Sequence, residues 1–184
     1  MKFSPFCSSK NHFRMILLAL TCGALPLLTA CGRNEIVGIY EIHPNRVGRS
    51  IGFIKLKDTN AGLLIEPNIK GLTPGEHAFH IHEGNTCEAG IKDGTAIAGF
   101  GAEGHWDTDE NDSHEGPDGD GHRGDLANLI VSEYNTATTQ QTASRIKLSE
   151  IRNKALVIHS GKDNYLDTPS SGGSGERIAC GVIK

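Results

Sequence analysis

After its first thirty residues the chain consists of short segments rich in isoleucine and valine, separated by glycine-rich stretches. Such segments, with partial alternation of apolar and polar side chains, predict β-strands. No stretch keeps a 3.6-residue apolar period over three turns, which disfavours a helical bundle. About eight short strands in one domain of this size predict an all-β sandwich or Greek-key barrel. The candidate strands are residues 35–42, 50–57, 62–69, 77–82, 126–133, 143–148, 155–159 and 177–183.

Two segments between the candidate strands are long and poor in apolar residues. Loops of such length in a compact domain are usually functional or disordered. Residues 83–125 are rich in glycine and acidic side chains, and they include three histidines. Residues 160–176 contain Pro169 and a Gly/Ser run, which is also typical of a flexible surface loop.

The N-terminus has the pattern of an export signal. Lys2, Lys10 and Arg14 precede an uncharged, mostly apolar run over residues 15–30, which is short for a membrane span. The run ends in LTAC, which resembles a bacterial lipobox and predicts a lipid on Cys31. An ordinary secretory signal with a free thiol at Cys31 is the alternative. Both interpretations predict an exported protein.

Removal of this signal changes the charge and the cysteine inventory. The net charge falls from −4 to −7, because residues 1–30 carry three basic and no acidic side chains. A chain this acidic is not expected to bind nucleic acid, and an anionic substrate would need a local positive group. Cys87 and Cys180 remain, and an oxidising compartment permits a disulfide between them, with two buried free thiols as the alternative.

Histidines on candidate strands are the first metal-ligand candidates. His80 and His82 lie two residues apart, so a strand would direct both imidazoles to one face and Phe79 and Ile81 to the core. His159 ends an apolar strand, where a lone histidine is more often a packed residue than a ligand.

A sharper cluster lies in the acidic loop. Nine of the 22 acidic residues fall within residues 99–125. Three imidazoles and one carboxylate in that loop form a closed tetrahedral set, which predicts a structural zinc site. The alternatives are an acidic disordered loop and a loose calcium site. The four candidate ligands are His105, His114, His122 and Asp125.

Together these residues resemble a known family, the copper/zinc superoxide dismutases in their bacterial exported form. The similarity covers roughly residues 36–184 and is dense from residue 75 onwards. It implies a Greek-key β-barrel of about eight antiparallel strands with two long functional loops. Together with the export signal, it divides the chain into a signal peptide (1–30), a lipid-anchored linker (31–35) and the dismutase domain (36–184). The matching strings are GEHAFHIHEGNTCEAG (75–90), AEGHWD (102–107), HEGPDGDGHRGDLANLIV (114–131), ALVIHSGKDN (155–164) and GERIACGVIK (175–184).

The resemblance also implies roles for individual residues. One copper per chain would be held by His80, His82, His105 and His159, and one zinc by His105, His114, His122 and Asp125. His105 would then bridge the two metals and take up a proton when copper is reduced. Cys87 and Cys180 would form the disulfide, Arg177 would lie beside the copper, and Asp163 would link a copper histidine to a zinc histidine.

The activity implied is dismutation of superoxide to dioxygen and hydrogen peroxide, which would protect the cell envelope. Arg177 would attract the superoxide anion, unless it merely pairs with Glu176. A non-catalytic metal-binding lipoprotein on the same fold is one alternative. A zinc hydrolase is another, but it would need an open zinc position.

The remaining expectations concern partners and place. The predicted cellular location is the periplasmic face of the envelope, with membrane contact through a lipid at Cys31. Gly32 rather than Asp follows Cys31, which favours the outer membrane. The sequence leaves monomer and homodimer open, and Trp106 could either pack the loop or contribute to a dimer contact.

Overall fold

The computed structural model describes residues 34–108, 113–169 and 171–184. The predicted signal peptide and Cys31 lie outside these described residues. Within them, no helix is long and apolar enough to cross a membrane.

The described part of the chain contains twelve strands and two single turns of 3-10 helix, joined by turns and loops. The 3-10 turns cover Phe100–Ala102 and Leu148–Glu150. The strands are β1 (Asn34–His43), β2 (Arg46–Thr59), β3 (Gly62–Lys70), β4 (Gly75–His77), β5 (Phe79–His82), β6 (Gly90–Lys92), β7 (Thr95–Ile97), β8 (Leu129–Val131), β9 (Thr136–Ala137), β10 (Gln141–Ala143), β11 (Ala155–His159) and β12 (Arg177–Val182).

Eight of these strands form one curled antiparallel sheet, as the sequence predicts for an all-β fold. Its order is β10-β3-β2-β1-β12-β11-β5, and β9 pairs with β3. The inward face carries the aliphatic side chains of the alternating segments, and these form one continuous core with residues of the long loop. Two further pairs, β4 with β8 and β6 with β7, lie outside this sheet. The order matters for function because it places β5, β11 and β12 side by side.

The structure confirms the predicted strands at residues 35–42, 50–57, 62–69, 155–159 and 177–183 to within a few residues. β1 begins at Asn34, which lies opposite Lys57 in β2. Asn34 and Glu35, two residues that the sequence assigns to the linker, therefore belong to the sheet.

The predicted strand at residues 143–148 is wrong. β10 ends at Ala143, and a 3-10 turn follows at Leu148–Glu150. The Leu148 N–H donates to the Asp58 carboxylate (2.8 Å) instead of to a neighbouring strand. The Glu150 carboxylate accepts from the Lys147 N–H (2.7 Å), which closes the turn. Side-chain acceptors of this kind have no alternation signal in the sequence.

The predicted strand at residues 77–82 is interrupted at Ala78. The Ala78 N–H donates to the Gly161 carbonyl (2.7 Å), and its carbonyl accepts from the His159 N–H (2.9 Å). His77 therefore belongs to β4 and pairs with Leu129 of β8 instead of sharing a strand with His80.

The disulfide between Cys87 and Cys180 is present, with Cα atoms 5.8 Å apart. Cys180 lies in β12, whereas Cys87 lies in the long loop that follows β5. The bond therefore ties the start of the loop to the strand that begins at Arg177.

Candidate metal centre

Three adjacent strands supply the first group of histidines. In β5 the His80 and His82 rings are fully buried on one face, while Phe79 and Ile81 point into the core, as alternation predicts. β11 pairs with β5 and ends at His159, which is 4% exposed. Arg177, at the start of β12, lies opposite His159 in the ladder.

The loop between β7 and β8 lies along the edge of β5 and brings in the second group. The Ile81 N–H donates to the Gly124 carbonyl, and the Ile81 carbonyl accepts from the Trp106 N–H, both at 2.8 Å. These bonds set His105 beside His82 and Asp125 beside His80. Position 124 requires glycine, because a Cβ there would lie 2.2 Å from the Ile81 carbonyl oxygen.

Four imidazoles form the first donor group. Each contributes a ring nitrogen, and these atoms all lie within 4.8 Å of one another. The His82 and His159 Nε2 atoms are 3.4 Å apart, and the His80 and His105 ring centroids are 3.9 Å apart. The group consists of His80, His82, His105 and His159.

Three imidazoles and a carboxylate form the second group, also within 4.8 Å of one another. The Asp125 Oδ1 atom lies 3.0 Å from His105 Nδ1 and 3.7 Å from His122 Nδ1. Its members are His105, His114, His122 and Asp125, so His105 belongs to both groups. The structure thus brings together all the ligand candidates that the sequence singles out.

Hydrogen bonds orient the rings of the first group. His80 Nε2–H donates to Asp163 Oδ2 (2.6 Å), and His82 Nδ1–H donates to the Glu103 carbonyl (2.9 Å). His159 Nδ1–H donates more weakly to the Gly175 carbonyl (3.4 Å). Each ring then has one nitrogen left for a metal, as is usual for histidine ligands.

Within the described part of the chain, the buried atoms His80 Nδ1 and Asp125 Oδ2 have no hydrogen-bond partner. Buried polar atoms are rarely left unsatisfied unless an ion or a water takes the place of a protein partner. An all-nitrogen set suits copper, and a three-nitrogen, one-oxygen set suits tetrahedral zinc. The residues present therefore fit both ions.

Asp163 is buried and held firmly. Its Oδ1 atom accepts from the Tyr165 N–H (2.7 Å), and its backbone is bonded twice by the Asn128 side chain (2.9 and 3.0 Å). The contact with His80 agrees with the expected role, whereas the link from Asp163 to a zinc histidine stays a prediction.

Asp167 is a contact of the centre that sequence reasoning missed. Its Oδ1 atom accepts from the His114 N–H (2.7 Å) and lies 3.3 Å from His114 Nδ1. These bonds, the backbone one first, lower the pKa of the Asp167 carboxyl. Nothing in the spacing of Asp167 distinguishes it from other acidic residues in its loop.

Arg177 does not use its guanidinium to pair with Glu176. It donates to the backbone carbonyls of Gly99 (2.6 Å) and Glu103. Gly99 is in the left-handed region (φ 60°), and a Cβ there would lie 2.7 Å from Ile42. The guanidinium keeps its charge while bonded to these neutral acceptors, and it lines a surface cavity of about 700 Å³.

Trp106 is 4% exposed and belongs to the hydrophobic core. Arg123 and Lys154 lie near its ring, at 5.3 and 5.4 Å from the ring centroid. Of the two roles left open by the sequence, the structure favours packing of the loop.

Burial determines the protonation of the strand histidines. Desolvation, and then the neighbouring His105, lowers the pKa of His80, His82 and His159 well below the ordinary value, to about 3 for His159. The three rings are therefore neutral at pH 7, which is the form that binds metal ions.

We expect the metal-free protein to lose stability as the pH falls from 7 to 5. A base whose pKa is lower in the folded state stabilises the fold above its unfolded pKa, near 6.5, and this contribution is lost below it. For His159 the loss at pH 5 is about 2 kcal/mol. Burial raises the pKa of the Asp163 carboxyl, so protonation of this group stabilises the fold as the pH falls. This gain from one carboxyl is opposed by the loss from three histidines.

Urea unfolding of the metal-free chain at both pH values measures this dependence. The His159→Gln variant should show a smaller difference between the two pH values. A stability that does not change with pH would contradict the account of neutral buried histidines.

The chain is similar to known proteins in family, sequence and structure. The family model for copper/zinc superoxide dismutase (SODC) matches residues 50–183. The copper-zinc superoxide dismutase of Escherichia coli K12 is 46% identical over 176 residues, which cover 95% of this chain and 99% of that protein.

Solved structures are also similar to this chain. The Brucella abortus Cu/Zn superoxide dismutase has a TM-score of 0.80 at 39% identity, and covers 83% of this chain and 100% of its own. The monomeric copper, zinc superoxide dismutase from Salmonella enterica has a TM-score of 0.75 at 46% identity, with the same coverage.

Proposed function

The chain belongs to the copper/zinc superoxide dismutase family, and we propose that its two donor groups are the binding sites of the family's two metals. One copper per chain would be held by His80, His82, His105 and His159. One zinc would be held by His105, His114, His122 and Asp125. The observation that carries this assignment is the shared His105, whose ring belongs to both groups.

The reaction is the dismutation of superoxide. Copper, when bound, supplies one-electron redox chemistry, by which one superoxide is oxidised to dioxygen and another, with two protons, is reduced to hydrogen peroxide. The residues of the chain have to position the metal, attract the anion and handle the protons.

The His105 ring is suited to taking up and releasing a proton. Its Nδ1 atom faces the Asp125 carboxylate at 3.0 Å, so Nε2 is the atom left for the copper group. We assign to Nε2 a proton that is taken up and released during turnover, while Nδ1 stays on the zinc side. Bound zinc would fix the ring, and the Asp125 carboxylate contributes its negative charge to the same side.

Arg177 is suited to attracting the substrate. It carries a permanent positive charge opposite His159, in a chain whose net charge is −7 without residues 1–30. A zinc hydrolase fits this site less well, because it would need an open zinc position and the proposed set has four protein ligands.

The Arg177→Gln variant should therefore turn over superoxide about 10-fold more slowly at low salt, because local steering raises association rates by 10-fold or more. Its rate should also depend less on ionic strength. Superoxide decay, normalised to bound copper, measures both effects. The Arg177→Lys variant, which retains the charge, should keep most of the salt dependence, and an unaltered rate and salt profile in Arg177→Gln would contradict steering by this residue.

We also propose that the protein is exported and anchored at the periplasmic face of the envelope, with the outer membrane favoured over the inner one. There it removes superoxide. This rests on the signal-like residues 1–30 and the lipobox that ends at Cys31. The domain would follow a linker at residues 31–35, shortened by the start of β1 at Asn34. A homodimer stays open, although the Salmonella enterica relative is described as monomeric.

In a bacterial host, the full chain should appear in the membrane fraction, and the Cys31→Ser variant should not. The reason is that an acyl-modified N-terminus with more than one chain attaches stably to a bilayer. Ser8→Ala, in the predicted signal, is a matched control that should leave fractionation unchanged. Equal membrane association of Cys31→Ser would contradict the lipid anchor.

A further inference from the structure

The geometry points to Arg145 as a positioning residue for the proposed zinc site. Arg145 belongs to neither donor group, yet its guanidinium holds the turn that carries His122 and Asp125. This inference rests on the proposed zinc set and adds a residue to it that lies far away in sequence.

The turn itself brings two of the four ligands together. The His122 carbonyl accepts from the Asp125 N–H (3.3 Å), and the His122 N–H donates to the Ser113 carbonyl (2.9 Å). The two side chains consequently converge, with His122 Nδ1 3.7 Å from Asp125 Oδ1. Since the turn bond at 3.3 Å is long, the turn depends on further contacts to hold its shape.

Arg145 supplies such contacts from outside the loop. Its Nη2 group donates to the carbonyls of Gly121 and His122, both at 3.1 Å. A guanidinium is a charged, planar donor, and its hydrogen bonds are stronger than those between neutral groups. It therefore fixes the peptide group that leads directly to the His122 side chain.

The segment that carries Arg145 is fastened to the main sheet. Its neighbours Ile146 and Leu148 are buried in the core. The Lys147 Nζ group donates to the Thr59 carbonyl (3.1 Å), and the Leu148 N–H donates to Asp58 Oδ1 (2.8 Å). Arg145 thus connects the metal loop to the β2–β3 hairpin.

Arg123 completes the connection from the loop side. It donates to the Arg145 carbonyl and to Glu150 Oε1 (3.0 Å), and it lies 5.3 Å from the Trp106 ring centroid. Trp106 directly follows His105, so the contacts of Arg123 also extend to a third proposed zinc ligand. The copper group depends less on it, because β5 and β11 hold three of its four histidines.

The test is the zinc affinity of the full-length protein with Arg145→Met. We expect zinc binding, measured by competition with a chelator, to weaken about 10- to 100-fold, the usual effect of removing an outer partner of a metal site. Co²⁺ bound in place of zinc should show an altered visible spectrum at saturation. The Arg145→Lys variant, which can still donate to a carbonyl, should recover part of both properties.

Arg152→Met is the matched control. Arg145 precedes the 3-10 turn at Leu148–Glu150, and Arg152 follows it. Arg152 donates to the Lys184 carbonyl and lies 3.9 Å from Glu35, away from the metal loop. Wild-type zinc affinity in Arg145→Met, or an equal loss in Arg152→Met, would overturn the inference. If Arg145→Met does not fold, Arg145→Gln decides, because its short neutral side chain lacks the charged guanidinium, and unchanged affinity and spectrum there would also overturn the inference. If His122→Gln takes up zinc as the wild type does, the zinc set itself is refuted instead.

Discussion

The His159→Gln variant is expected to lose superoxide dismutation almost completely while keeping its fold. Removing even an outer partner of a metal site lowers affinity or activity by 10- to 100-fold, so the loss of a direct ligand should exceed about 100-fold. The fold should survive because the His159 N–H still donates to the Ala78 carbonyl and β11 is held on both sides.

Copper content, zinc content and superoxide decay should be measured on the same sample. We expect zinc to remain, because His159 does not belong to the second donor group. His43→Gln is the control, since the ring of His43 is exposed and outside both groups. Wild-type activity in His159→Gln after copper loading would show that His159 is not a copper ligand.

The second large effect concerns the disulfide. Replacing Cys87 and Cys180 together by serine should lower the free energy of unfolding by about 4 to 5 kcal/mol, because the bond closes a long loop in the unfolded chain. The sequence separation is 93 residues, and closing a loop of about 100 residues is worth about 4.7 kcal/mol at 25 °C.

Activity should fall as well, for a structural reason. The loop that the disulfide ties to β12 carries the Gly99 and Glu103 carbonyls, which hold the Arg177 guanidinium. Urea unfolding of the metal-free double variant measures the first effect, and wild-type protein after thiol reduction should match it. An unfolding free energy equal to that of the oxidised wild type would contradict a stabilising role for the bond.

Much of the centre was predictable because its ligands sit in regular local patterns. The spacing of His80 and His82 places them on one face of any strand, and β5 confirms this. The cluster of His105, His114, His122 and Asp125 stood out because an acidic, glycine-rich loop rarely holds three histidines without a metal. Assigning His159 to the same site as the other histidines required the family resemblance, because His159 alone has no distinguishing pattern.

The contacts that sequence reasoning missed connect segments far apart in the chain. Arg145 meets His122 across 23 residues, and Asp167 meets His114 across 53. Such pairs leave no periodic trace, because each partner looks like an ordinary charged residue. The break at Ala78 was not predictable either, because its backbone partners, Gly161 and His159, lie 83 and 81 residues further along the chain.

The measurement that tests the central claim most directly is a metal count coupled to superoxide decay. The protein would be purified from an oxidising compartment, and copper and zinc would be counted per chain before and after copper chelation. The account predicts one copper and one zinc, rapid decay that chelation abolishes, and recovery on copper reloading. Zinc without copper, or both metals without turnover after reloading, would contradict it and favour a non-catalytic metal-binding protein on the same fold.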